Sequence, residues 1–137
     1  MKKVLVADDK ASSRELIRTV LEQSGHMVFE ANDGMEALRG ARDLLPDLLI
    51  LDLHMPAPDG FAVVNELRRD ERFRLTPIVA LTASAMQGDR ERALAAGFTS
   101  YIAKPIGLDA LRNEVERLLG SEVERLLGKE SSCAGCS

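Results

Sequence analysis

Residues 46–56 read Pro-Asp-Leu-Leu-Ile-Leu-Asp-Leu-His-Met-Pro. The run Leu48–Leu51 has no polar alternation, so it predicts a strand covered on both faces. It stops at Asp52, and Pro56 with Pro58-Asp59-Gly60 marks the chain turning away. Similar runs flank it: Val4–Ala7 and Met27–Ala31 before, Ile78–Leu81 and Tyr101–Ala103 after. Stretches with helical spacing lie between them. Ser12-Ser-Arg-Glu15 predicts a capping box with Ser12 at the N-cap. Leu16, Ile17, Val20 and Leu21 then share one face, and Gly25 is the stop. Asp33-Gly-Met-Glu36 opens a second helix burying Ala37, Leu38 and Ala41. A third follows Asp59-Gly60 with Phe61, Val64 and Leu67 inward; a fourth spans Asp89 to Ala96 and stops at Gly97. A fifth starts near Leu108, buries Leu111, Val115, Leu118 and Leu119, and ends at Gly120.

Alternation of this kind forces parallel strands, right-handed crossovers and helices on both sheet faces, which is a doubly wound α/β domain. The 137 residues fit one such domain, and 45% hydrophobic with 29% charged residues excludes disorder or a coiled coil for the chain as a whole. Aromatics make up 4%, without Trp and with one Tyr, so a base-stacking surface is excluded. A net charge of −4 argues against direct nucleic-acid contact. No run approaches the roughly 18 apolar residues of a membrane span. The apolar stretch after Met1-Lys2-Lys3 ends at once in Asp8-Asp9, so the expected location is the cytoplasm. Both cysteines, Cys133 and Cys136, lie in the tail, which leaves the core without a disulfide.

Ligand sites of doubly wound sheets lie at the carboxyl ends of the strands. Those ends carry Asp8-Asp9, Asp52, Thr82 and Lys104. Singly, each has an ordinary reading: Asp9 as a turn former, Thr82 as a β-branched strand residue, Lys104 as a solvated charge. Together, with strands one and three adjacent, they bring three carboxylates into one pocket. The repulsion calls for a cation, and a hard divalent ion with oxygen ligands, Mg²⁺, fits. A hydroxyl and an ammonium beside such a metal suit a bound phosphoryl group.

This constellation resembles the receiver domain of two-component response regulators. The likeness spans roughly residues 2–119 and rests on Val4-Leu-Val-Ala-Asp-Asp9, Pro46 to Pro56 with Asp59-Gly60, Ala80-Leu-Thr82-Ala83, and Gly97 to Lys104-Pro105. Ala85 to Arg90 is similar to hybrid-kinase receivers and to single-domain regulators of the DivK type. The resemblance implies a flavodoxin-like, five-stranded parallel sheet of order 2-1-3-4-5. It implies Asp52 as phospho-acceptor, and Mg²⁺ held by Asp8, Asp9, Asp52 and the backbone carbonyl of His54. Thr82 would be the switch hydroxyl, Tyr101 the aromatic switch, and Lys104 the partner of the phosphoryl oxygens. The Lys104-Pro105 peptide is expected cis. His54 and Ser84 would flank the attacking water. Expected partners are a sensor histidine kinase or histidine phosphotransfer protein and a downstream protein target. The expected role is a signalling switch rather than an enzyme, although it supports its own phosphorylation and autodephosphorylation.

Other folds and chemistries fit less well. A haloacid-dehalogenase phosphatase needs a second Asp where His54 stands. A flavin carrier needs a Ser/Thr/Gly-rich loop where Asp8-Asp9-Lys10-Ala11 stands. The P-loop pattern is absent. An interaction module that is never phosphorylated remains the third reading. Residues 1–119 are expected to form the receiver and 120–137 an extension with no output domain. Glu114-Val-Glu-Arg-Leu-Leu-Gly120 recurs as Glu122-Val-Glu-Arg-Leu-Leu-Gly128. Ser121 would cap a short amphipathic helix, free to pack on a partner or a second copy in a homodimer. Cys133-Ala-Gly-Cys136 would lie in a flexible tail, with Zn²⁺ shared between two chains as the sharper alternative.

Overall fold

All five residues of Leu48–Asp52 are buried, and this strand lies at the centre of the sheet. A computed structural model describes residues 2–83 and 87–120. The elements are β1 (Lys3–Ala7), α1 (Ala11–Gln23), β2 (Met27–Ala31), α2 (Gly34–Leu44), β3 (Leu48–Asp52), α3 (Gly60–Arg68), a single 3₁₀ turn (Glu71–Phe73), β4 (Ile78–Thr82), α4 (Gln87–Ala96), β5 (Ser100–Ala103) and α5 (residues 108–120). The sheet order is β2-β1-β3-β4-β5, and every pairing is parallel. This is the doubly wound order expected. No helix is long and apolar enough to cross a membrane.

Successive strand residues point to opposite faces, and each face builds its own core layer. Leu5, Ala7, Leu49, Leu51, Ile78 and Ala80 pack with residues of α2, α3 and α4. Val4, Val6, Leu48, Ile50, Val79 and Leu81 pack with Ile17, Val20 and Leu21 of α1 and Leu111, Val115, Leu118 and Leu119 of α5. Each fully buried Leu or Ile contributes about 1.5–3 kcal/mol.

Several local expectations need correction. β2, at the edge place that the expected order gives it, is not covered on both faces: Met27 is exposed, and Glu30 pairs with Arg14 and Arg18 at 2.9 Å each. The Ser12 capping box does not form. α1 starts at Ala11 behind an extended Lys10 with no side-chain cap. The cause lies in the preceding turn, where Asp8 Oδ1 accepts from the Lys10 amide at 2.9 Å and fixes the start earlier. Leu16 is 38% exposed rather than inward, because the buried stripe runs along Ile17, Val20 and Leu21. α4 begins at Gln87, ahead of Asp89, and ends before Gly97, whose φ of +120° is left-handed. Phe61 is only half-buried, and its ring meets Phe98 edge-on at 6.2 Å. Asp33 caps α2 as expected, accepting from the Glu36 amide at 2.9 Å, but the Glu36 carboxylate reaches back to Asn32 rather than to Asp33. α5 is described through Gly120; the expected stop there and the cap at Ser121, the second repeat copy and both cysteines lie outside the described residues.

Candidate functional site

Four strand ends converge on one edge of the sheet. Asp8 follows β1, Asp52 closes β3, Thr82 closes β4, and Lys104 follows β5. Parallel pairing sets the level of each. Ala7 lies beside Leu51, Asp52 beside Leu81, and Thr82 beside Ala103. Backbone bonds continue past the ladder, from the Leu53 amide to the Leu81 carbonyl at 2.9 Å and from the Lys104 amide to the Thr82 carbonyl at 2.7 Å.

Asp8 is fully buried and Asp52 is 4% exposed, whereas Asp9 faces solvent. Oxygens of the three carboxylates lie within 4.8 Å of one another. One cation sits among them: Lys104 Nζ donates to Asp8 Oδ2 at 2.8 Å and reaches Asp52 Oδ2 at 3.4 Å. The other Asp52 oxygen, Oδ1, accepts from the His54 amide at 3.0 Å. Burial pushes the Asp52 carboxyl above the ordinary carboxylate range. The Asp8 charge pushes the same way, and the His54 N–H and Lys104 only partly oppose them. Burial works to lower the Lys104 ammonium, yet its bonds to the two aspartates leave it above the ordinary lysine value.

Two unit charges 4 Å apart interact by about 4 kcal/mol at an effective dielectric of about 20. A lone ammonium therefore cannot balance three clustered carboxylates. The donor set is hard oxygen, solvent-facing through Asp9, and it fits a divalent ion such as Mg²⁺. Thr82 is fully buried on the β4 end. Tyr101 stands beside Ala80, back from the edge, half-buried against the core layer of α2, α3 and α4. The Lys104-Pro105 peptide is cis, as expected. His54 is exposed in the turn after Asp52, and Ser84 lies outside the described residues.

Sequence reasoning missed three supports of this edge. Arg14 Nη1 donates to the Asp8 carbonyl at 2.7 Å while its Nε holds Glu30, so a helix residue anchors the acidic turn. Gly60 passes so close to β3 that a Cβ there would lie 2.6 Å from the Asp52 carbonyl. Ala57-Pro58 is a second cis peptide, and Pro58 fills the space where a Cβ of Gly34 would stand. The Asp59-Gly60 pair was the one available signal for the close approach. Arg14 left none, because its role depends on where α1 starts.

The family model for the response regulator receiver domain matches residues 4–116. The polar-differentiation response regulator DivK of Brucella ovis is 36% identical over 119 residues, which cover 87% of this chain and 97% of that protein. The chemotaxis response regulator CheY4 of Vibrio cholerae superposes with a TM-score of 0.83 at 34% identity, over 87% of this chain and 99% of that one. The receiver domain of the sensor histidine kinase PA1611 from Pseudomonas aeruginosa, solved with a magnesium ion in its active-site cleft, gives a TM-score of 0.80 at 35% identity, over 87% and 98% of the two chains. Sheet order, the acidic strand ends and these likenesses agree, and the chain belongs to the response regulator receiver domains, the phosphorylation-based signalling modules of two-component systems.

Proposed function

We propose that Asp52 accepts a phosphoryl group from a phosphohistidine of a sensor histidine kinase or histidine phosphotransfer protein. The observation that carries this reading is the placement of Asp52. It is a nearly buried carboxylate at the end of the central strand, with two more carboxylates within 4.8 Å and an ammonium at 3.4 Å. An Asp52 oxygen attacks phosphorus, the P–N bond to the donor breaks, and the imidazole keeps the electron pair of that bond. Asp8, Asp9, Asp52 and the His54 carbonyl would hold Mg²⁺, which supplies charge neutralisation on the attacking and transferring oxygens. The magnesium in the PA1611 receiver supports that assignment by likeness.

The acyl phosphate carries about two negative charges at pH 7 where the carboxylate carried one. Lys104 then gains a stronger partner than Asp52 Oδ2, and the Thr82 hydroxyl gains an acceptor. Both sit at the ends of β4 and β5, so the change is passed to α4, β5 and α5, with Tyr101 as the ring that shifts. The output is a surface for a protein target, not turnover of an external substrate, and the setting is the cytoplasm. Residues 1–119 would form this module.

The test is chemical. After phosphorylation by phosphoramidate, borohydride reduction converts an aspartyl phosphate to homoserine. Peptide mapping is expected to find homoserine at position 52. Homoserine at another aspartate would overturn the assignment.

A further inference from the structure

Of the three carboxylates at the strand ends, Asp9 alone lacks a side-chain anchor. Asp8 accepts from the Lys10 amide through one oxygen and from Lys104 through the other. Asp52 is held in the same way by the His54 amide and Lys104. The exposed Asp9 carboxylate takes no hydrogen bond or ion pair among the described residues, yet it stands within 4.8 Å of the other two. Its place is set through the backbone. A peptide unit is planar, so the direction of the Asp8 carbonyl fixes the nitrogen and Cα of Asp9. That carbonyl accepts from Arg14 Nη1 at 2.7 Å.

Arg14 is itself held in place. It lies in the first turn of α1, and its side chain is only 13% exposed. Its Nε donates to one Glu30 oxygen at 2.9 Å, and Arg18 Nη1 donates to the other at 2.9 Å. Arg18 Nε in turn donates to Glu22 at 3.0 Å. The Arg18 hydrogen bond, with Arg14 adding to it against burial, holds the Glu30 carboxyl below its usual range, so this anchor stays ionised at neutral pH. Glu30 stands beside Val6 in the β1–β2 pairing, and the Asp8 amide donates to the Ala31 carbonyl at 3.2 Å. The fork of one guanidinium thus ties the acidic turn to the edge strand.

We propose that Arg14 is a positioning residue for a divalent ion at this edge. It holds the Asp8–Asp9 peptide so that the Asp9 carboxylate joins the other two, and without it the ion binds more weakly. The role rests on the reading of this edge as a Mg²⁺ site. Charge and position pull in opposite directions here. Arg14 is a cation beside a cluster that would take up a cation, so on electrostatics alone its removal tightens Mg²⁺ binding. Through position its removal weakens binding, by about tenfold for an outer group that orients a metal ligand. The sign of the change separates the two.

The test titrates Mg²⁺ alone into the full chain, followed by amide NMR shifts, with urea melts in EDTA to check that each variant is folded. Arg14→Gln is expected to raise the dissociation constant about tenfold. Arg14→Lys keeps the charge but loses the planar fork that reaches Asp8 and Glu30 together, so electrostatics predicts no change and position predicts a several-fold rise. This milder variant carries the test if Arg14→Gln does not fold. In an Asp9→Asn chain, Arg14→Gln should weaken binding by less than about twofold, since the ligand that Arg14 positions is already gone. Unchanged or tighter binding in the Arg14 variants, or an equal loss with and without the Asp9 carboxylate, would overturn the proposal and leave the Mg²⁺ reading standing. An unsubstituted chain that takes up no Mg²⁺ would overturn both.

Discussion

Asp8 and Asp52 share one ammonium, and Lys104 stands closer to Asp8, at 2.8 Å against 3.4 Å. Asp52 is thus the less compensated of two buried carboxylates, which suits the phospho-acceptor role proposed for it. Its carboxyl lies above the ordinary range mainly through burial. A folded value above the unfolded one means that stability from this group is present at low pH and is lost as pH rises through its titration. In EDTA at neutral pH, Asp52→Asn should therefore raise the urea midpoint, since Asn keeps an oxygen for the His54 amide and sheds the charge. The difference from the unsubstituted chain should close below about pH 4, where the unfolded carboxyl is protonated as well. Glu114 has the opposite sign. The Arg117 guanidinium, helped by the Ser100 hydroxyl, holds it below the usual range. Its contribution is present above the ordinary carboxylate value and lost as pH falls through the lowered one. Glu114→Gln should flatten that acid-side slope in a pH series of urea melts.

Elements are placed by caps and close approaches, and these differ in how far a sequence shows them. Asp33 caps α2 through its own side chain, whereas Ser12 caps nothing. Asp33→Ala should cost about 1 kcal/mol and Ser12→Ala no more than about 0.5 kcal/mol, read from urea midpoints. Gly60→Ala would force a Cβ to within 2.6 Å of the Asp52 carbonyl, so it should cost about 1–3 kcal/mol and slow phosphorylation together. The five strands were legible because unbroken apolar runs have few other uses in a chain of this length. The start of α1 was not, because turn chemistry at Asp8 sets it. The edge place of β2 followed from the expected order 2-1-3-4-5, and Glu30, which interrupts the apolar run Met27–Ala31, marks the open side where it pairs with Arg14 and Arg18. The acidic strand ends were visible as residue types and Asp59-Gly60 signalled the close approach, but the Arg14 support emerges only from tertiary approach.

At the scale of the molecule, two core layers hold a rigid sheet whose carboxyl edge gathers mutually repelling charge. A ligand that relieves this repulsion must stabilise the whole domain. Mg²⁺ at about 100 times its dissociation constant should add about 2.7 kcal/mol to unfolding, read as a rise in the melting temperature that EDTA reverses. Asp8→Asn should lose that rise. The proposed phosphorylation of Asp52 would use the same edge, and it is tested most directly by intact-mass spectrometry after incubation with acetyl phosphate. With Mg²⁺ the chain is predicted to gain one phosphoryl group; without Mg²⁺, or in Asp52→Asn, it is predicted to gain none. An adduct of equal yield in Asp52→Asn, or none on the unsubstituted chain even with a phosphohistidine donor, would contradict the account.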